Sequence, residues 1–413
     1  VLILDDSHPI LSYTKHSLIE GRGMKSNLTM TECIHSNSHQ NDQGSPQPPL
    51  YDTSLFAFES TQTMRDVIEG KTQGAFYTRY GMNPTITALE SKLAQLDQAE
   101  ASLAFSSGMA AISALFMQFA TQGILCVGDV YGGTQQLLSK HLPALGIKTF
   151  RLQKTDLNSV ETALKSNQPA LVFIETPSNP TLHLQDIKRL AKLVHANGAL
   201  LAVDNTFATP INQCPIALGA DFTVQSATKY LGGHSDLTAG VLSGPIVHLE
   251  AINEWRKNLG QTIATEVAHK LSRSLLTLVL RVERHNFNAQ LIANYLDTHP
   301  QVRKTCYPGL TAHPENDFIN QQMSGFGGMV SFYIEGDAAM AERFVDLLNL
   351  FAIAPSLGGV ESLATQPIYT SHYGLSEETL KQADVDGSLI RLSVGLEDIK
   401  DLINDLEQAF RRC

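Results

Sequence analysis

Between residues 85 and 245, short and wholly apolar runs alternate with amphipathic helical stretches. That alternation marks an α/β fold with a mainly parallel, seven-stranded sheet covered by helices on both faces. Further along, the runs GMVSFYIEG and LIRLSVGLE alternate like half-buried strands, with a helix expected from Ala338 to Leu348 between them. An α+β C-terminal domain is therefore expected to follow. A length of 413 residues suits two or three domains.

The elements follow in order. Ile19-Glu20-Gly21-Arg22 is the cleavage tetrapeptide of a widely used processing protease, with Gly23 and Met24 next. Residues 1–23 are therefore expected to be a foreign or tag segment. The apolar VLIL start is cut short by Asp5 and Asp6, so it does not read as a signal peptide. Residues 24 to about 70 are polar and turn-rich, and 24–80 are expected to form an arm contacting a neighbouring subunit. The α/β domain is expected over 81–265 and the α+β domain over 266–413, with no internal repeat.

Candidate strands are 102–105, 124–127, 147–152, 171–174, 200–203, 222–225 and 239–242. Residues 101–128 carry no charge, and a bilayer needs only ~20 apolar residues to be crossed. Serines, glutamines and glycines at turn positions make this stretch strand, turn, buried helix, turn and strand instead of a membrane span. Over Asp186 to Asn197, Ile187, Leu190, Ala191 and Val194 share one helical face, with Asp186 at the start and Gly198 just past the end. A long helix is expected from about Thr265 to Leu296.

Charge and cysteine usage exclude several functions. The net charge of −11, with no block of Lys or Arg, argues against nucleic acid as a ligand. Five dispersed cysteines form neither CxxC nor a Cys/His cluster, so no metal site and no disulfide framework is expected, and a reducing cytoplasm fits.

Four features stand at strand ends, where open parallel sheets collect ligands. Ser106-Ser107-Gly108-Met109 lies between a strand and a helix, where backbone N–H groups are free to hold an anion. Asp204 ends the apolar run LLAV, so it either meets a cation or caps the next helix. Ser226-Ala227-Thr228-Lys229 follows a buried strand and precedes Gly232-Gly233; it is either a nucleophilic lysine beside a phosphate or a surface lysine in a turn. Tyr131, in the glycine-rich DVYGGT, either stacks on a flat ligand or covers the sheet edge. Together the four match the needs of pyridoxal phosphate: a Schiff-base lysine, a carboxylate for the pyridine nitrogen, a phosphate cradle and a stacking ring.

The chain resembles the Cys/Met-metabolism (transsulfuration) family of pyridoxal-phosphate enzymes, which includes cystathionine γ-synthase, cystathionine γ-lyase and methionine γ-lyase. The resemblance rests on YTRYGMNPT (77–85), SSGMAA (106–111), DVYGGT (129–134), ETPSNPT (175–181) and VDNTFATP (203–210). It continues through SATKYLGGHSD (226–236), SLGGVESL (356–363) and RLSVG (391–395), and runs from about Pro48 to the C-terminus. It implies the type I pyridoxal-phosphate transferase fold. It also implies that Lys229 is the Schiff-base lysine and proton carrier, that Asp204 pairs with the pyridinium nitrogen, and that Tyr131 stacks on the ring and assists proton transfer. Gly108, Met109, Ser226 and Thr228 would bind the phosphate. Tyr77 and Arg79 would reach the phosphate of a neighbouring subunit, making a dimer the minimal active unit and a tetramer the usual one. Arg391, with Ser356 and Asn179, would hold the substrate α-carboxylate, a task suited to the two parallel hydrogen bonds of a guanidinium.

The implied chemistry is γ-elimination or γ-replacement on an amino acid with a Cγ heteroatom, such as cystathionine, an O-acylhomoserine or a methionine-like substrate. The residues do not decide between the two. An aminotransferase, decarboxylase or β-lyase on the same fold is the alternative, and a non-catalytic binder of the cofactor is disfavoured by the joint presence of Lys229, Tyr131 and Arg391. The sequence departs from the family pattern at Met82, inserted after Gly81, and at Phe76 and Pro355, where acidic or other residues are usual. A pocket with neither charge is expected to favour a compact or apolar γ-substituent over cystathionine.

Overall fold

The computed structural model describes residues 30–35, 44–311, 313–374 and 376–413. The expected tag segment 1–23, and the part of the arm before residue 44 other than 30–35, lie outside the described residues.

The larger sheet has seven strands: β1 (Ala101–Phe105), β2 (Ile124–Val127), β3 (Thr149–Leu152), β4 (Leu171–Glu175), β5 (Leu200–Asp204), β6 (Phe222–Gln225) and β7 (Gly240–Gly244). Their order is β1-β7-β6-β5-β4-β2-β3. Only β7 runs against its neighbours; every other pairing in the sheet is parallel. β3 starts at Thr149 and not at 147, because Ile147 N–H closes a turn onto Leu142 O at 3.1 Å.

Apolar residues on alternate positions of the central strands feed two cores, one on each face. Phe173 and Ala202 pack with Ala111, Leu115 and Phe116 of the helix Gly108–Gln118. Val172, Leu201 and Val203 pack with Ile187, Leu190, Ala191 and Val194 of the helix Ile187–Ala196. Strands covered on both faces in this way are apolar throughout, which is why they are legible as continuous runs. The uncharged stretch 101–128 is β1, the buried helix and β2. No helix among the described residues is long and apolar enough to cross a membrane.

A smaller C-terminal domain carries the second sheet, of five strands: β8 (Val302–Cys306), β9 (Met329–Ile334), β10 (Ala352–Ile353), β11 (Leu363–Thr365) and β12 (Leu389–Ser393). Their order is β10-β11-β12-β9-β8, and Phe332, Phe344, Ile390 and Phe410 are among the residues of its core. The helix expected from Ala338 to Leu348 ends at Asp346. Beyond it, the N–H groups of Asn349 and Leu350 turn to the buried carboxylate of Asp405.

The long helix expected from 265 to 296 is two, Thr265–Leu275 and Leu278–Asp297. No proline or glycine breaks it. The buried guanidinium of Arg281 takes Ser274 O at 2.9 Å and also Tyr230 O at 2.6 Å, so one side chain satisfies carbonyls at the break and in the turn after Lys229.

Candidate active site

β1, β2, β4, β5 and β6 point the same way, so their carboxyl ends share one edge of the sheet. The catalytic candidates gather there. β1 leads through Ser106 and Ser107 into the helix Gly108–Gln118. Ser107 caps that helix by accepting Ala110 N–H at 3.1 Å. The N–H groups of Gly108 and Met109, in the first turn, have no intrahelical acceptor. Glycine is required at 108: a Cβ there would stand 2.9 Å from the Cβ of Ser226. The helix N-terminus is thereby pressed against the segment that carries Lys229.

That segment is tied down from both sides. Ser226 N–H donates to Thr206 Oγ1 at 2.8 Å, and the Thr228 hydroxyl exchanges hydrogen bonds with the main chain of Ala239. Lys229 is half-buried, and its Nζ donates to Ser356 Oγ at 2.7 Å. Burial, and then the nearby Arg391, bring its pKa down to about 8. Ser356 adopts φ 96°, a left-handed conformation that costs a non-glycine residue energy and that clusters at functional sites.

Asp204 does not cap the next helix, which starts at Thr209. Its Oδ1 accepts both Thr206 N–H at 3.0 Å and Thr206 Oγ1–H at 2.6 Å. Burial pushes its pKa up to about 6 against those two hydrogen bonds. Tyr131 leaves 48% of its surface exposed, so its ring has a face to offer. A Cβ on Gly133 would lie 2.7 Å from that ring, which fixes its back against the loop and beside Met109.

Arg391 lies on β12 and reaches the same edge from the smaller domain. Nη1 donates to Asn179 Oδ1 at 2.9 Å and Nη2 to Ser356 O at 3.0 Å. Its Nε is buried and has no partner. A guanidinium held only by neutral acceptors, with a donor unsatisfied, is prepared for an anion.

Tyr77 and Arg79 stand apart from this group. With Asp52, Ser54, Gly260 and Thr262 they line a separate cavity of about 390 Å³, and Arg79 Nη1 donates to Lys257 O at 2.7 Å. The inserted Met82 is absorbed locally, its carbonyl accepting Phe76 N–H at 3.0 Å. Phe76 stacks on Tyr80 with ring centroids 6.0 Å apart.

Two residues of the site were not singled out from the sequence. Glu175 ends the apolar run LVFI as Asp204 ends LLAV, and it is Asp204's neighbour in the sheet register. The same signal would have found it. Thr206, two residues after Asp204, links that carboxylate to Ser226, and only the folded turn shows the link.

The model of the Cys/Met metabolism PLP-dependent enzymes matches residues 30–411. The chain belongs to that family. It is 40% identical over 363 residues to chloroplastic cystathionine gamma-synthase 1 of Nicotiana tabacum, covering 87% of this chain and 67% of that one. It spans 64% of the Arabidopsis thaliana counterpart, about two thirds as with the tobacco enzyme. Cystathionine beta-lyase of Lactococcus lactis is 40% identical over 385 residues, covering 92% of this chain and 98% of that one. L-methionine gamma-lyase of Pseudomonas putida is 38% identical over 386 residues, covering 92% and 96%. The solved cystathionine gamma synthase of Xanthomonas oryzae pv. oryzae, in complex with cystathionine, superposes with a TM-score of 0.87 at 34% identity, covering 95% of this chain and 99% of that one.

As a member of this family, the chain is a pyridoxal-phosphate-dependent enzyme of sulfur amino-acid metabolism, of the class that performs γ-elimination or γ-replacement. The residues at the sheet edge fit that cofactor. A glycine pressed against Ser226 opens a helix N-terminus for a phosphate, a buried carboxylate has a free oxygen, and an amine with a lowered pKa lies beside them.

Proposed function

We propose that the enzyme acts on an amino acid bearing a heteroatom leaving group at Cγ, with Lys229 as both attachment point for the cofactor and proton carrier. The observation that carries this reading is the meeting of Lys229, Ser356 and Arg391, in which Lys229 Nζ and Arg391 Nη2 both donate to Ser356. A base for the α-proton and a guanidinium for the α-carboxylate are thereby set on one residue. When bound, pyridoxal phosphate supplies an electron sink that makes the substrate's α-proton acidic.

The remaining tasks fall to side chains. Lys229 Nζ, near neutrality at about pH 8, takes the α-proton and returns it further along the substrate. Asp204 keeps the ring nitrogen protonated, and Tyr131 covers one ring face and assists proton transfer. Gly108 and Met109 through their N–H groups, Ser226 through its hydroxyl, and Thr228 by turning its O–H from Ala239 O, hold the phosphate. Arg391 binds the α-carboxylate with Nε, framed by Ser356 and Asn179. In this reading residues 24–80 are an arm onto a neighbouring subunit, 81–265 bind the cofactor and 266–413 close the substrate side.

Tyr77 and Arg79 would complete the phosphate site of that neighbour, so the minimal unit is a homodimer and the expected assembly a tetramer, in the cytoplasm. If so, mixing Arg79→Ala with Lys229→Ala chains restores activity, since hybrid dimers hold one intact site. A fully active monomer in sedimentation contradicts this.

Phe76 and Pro355 bring no charge to the distal pocket, which favours an O-acylhomoserine or a thioether over cystathionine. A mass-spectrometric screen of O-acylhomoserines, cystathionine, methionine and homocysteine, with and without thiol, tests the reaction class. Ammonia with a 2-oxo acid means elimination, and a γ-substituted amino acid means replacement. Transamination products alone would overturn the reading. The similarity to a cystathionine beta-lyase keeps β-elimination as the second reading, and release of homocysteine from cystathionine would identify it.

A further inference from the structure

Glu175, the last residue of β4, is 4% exposed and pairs in register with Asp204 of β5, itself 6% exposed. In-register residues on neighbouring strands lie about 4.8 Å apart and on the same face of the sheet. Two carboxyls on such neighbours, away from water, do not both ionise readily. Glu175 Oε2 accepts the Tyr131 N–H at 2.7 Å, so it also sets where the Tyr131 loop begins. The Tyr131 ring is then held between this anchor and the Gly133 backbone.

The groups that face Glu175 are Asp204 from β5, the Cys126 thiol of β2, Asp129 and Tyr131 from the loop after β2, Asn179 N–H from its own loop, and Arg391 from β12. Two of them are acids. The one cation, Arg391, already donates to Asn179 and Ser356. Asp204 has two donors from Thr206 on a single oxygen, which favour its ionised form. Glu175 likewise accepts two N–H groups, those of Tyr131 and Asn179, but the carbonyl oxygen of a neutral carboxylic acid accepts N–H as well, whereas Asp204 is the member that a cationic ring would face and hold ionised.

We propose that Glu175 is a positioning residue: it anchors Tyr131 and keeps the one proton that the Glu175–Asp204 pair retains, leaving Asp204 as the ionised member facing the cofactor. The inference rests on the assignment of Asp204 and Tyr131 to the cofactor given above. In agreement with the geometry, burial first and Asp204 second hold the Glu175 carboxyl well above the ordinary range.

The test is the pH dependence of the bound cofactor's absorbance, recorded on holoenzyme of the wild type, Glu175→Gln, Glu175→Asp and Asp204→Asn. Gln is isosteric with a neutral glutamic acid, so Glu175→Gln moves the absorbance midpoint by less than about half a pH unit. Glu175→Asp is too short to hold Tyr131 N–H and lowers kcat/KM by about tenfold or more, a loss that Glu175→Gln mostly escapes. A larger midpoint shift in Glu175→Gln, or an unaltered Glu175→Asp, overturns the inference. Should a variant not fold, infrared spectroscopy of wild-type holoenzyme decides. A protonated-carboxyl stretch persisting at pH 8 is expected, and its absence overturns the proposal. Asp204→Asn separates the two layers: if its midpoint and cofactor retention match wild type, the underlying site assignment fails, whereas failure of the Glu175 arms alone sinks only this inference.

Discussion

Among the regions of this protein that bury charge, two treat it in opposite ways. Glu90 and Arg256, 3% and 2% exposed, form an ion pair closed on itself. Glu90 also accepts Ala104 N–H at 2.8 Å, and Arg256 also donates to Ala104 O and to Asn253 Oδ1, each at 2.9 Å. At the sheet edge, Lys229 meets a hydroxyl, Arg391 meets an amide and a carbonyl, and Asp204 lies beside another acid. Among the described residues no ion pair joins Lys229, Arg391, Asp204 or Glu175 to an opposite charge. Buried charges without counter-charges cost several kcal/mol unless something completes them. The first region holds backbone together, whereas the second, in the proposed reading, receives a cationic ring and a carboxylate.

The closed pair should therefore govern stability and the open cluster activity. Arg256→Met leaves Glu90 uncompensated and is expected to cost about 3–5 kcal/mol of unfolding free energy. It also frees the turn at Gly81 (φ 80°), where a Cβ would overlap the Arg256 guanidinium. Chemical denaturation measures this, and a loss below about 1 kcal/mol would break the contrast. Arg391→Met removes an uncompensated cation. It is expected to lower kcat/KM about a hundredfold, ~2.7 kcal/mol, mainly through KM, with little change in apoenzyme stability. Steady-state kinetics beside a melting curve checks both halves.

The smallest effect is a pH dependence. In the proposed role, Lys229 captures the cofactor only as the neutral amine, and its pKa is lowered from 10.5 to about 8. The rate of cofactor uptake by apoenzyme should then rise about tenfold per unit below pH 8 and level off above it. The same shift makes apoenzyme gain stability as pH rises from about 8 to 10.5, because the unfolded chain still holds a proton that the folded chain has released. Stopped-flow uptake that keeps climbing to pH 10 would show an ordinary lysine.

The strands were legible because burial on both faces makes each one an unbroken apolar run, and the chemistry because charged residues interrupt those runs at their ends. LVFIE and LLAVD carry the signal in the same form, yet only Asp204 drew a role from it; Glu175 acquires its meaning from the register that sets it beside Asp204. The break after Leu275 was hidden because its cause, Arg281 reaching carbonyls near residue 230, is a contact between distant segments. Arg391 was found through the resemblance and not through any pattern of its own, since an arginine within an alternating strand looks the same as one facing solvent. The orphaned Nε makes the difference, and only packing reveals it.

The open cluster is built around one amine, so the most direct measurement is to trap what that amine holds. Borohydride reduction of the yellow holoenzyme, followed by proteolysis and peptide mapping, is predicted to place a single pyridoxyl label on Lys229. A label on any other lysine would contradict the account.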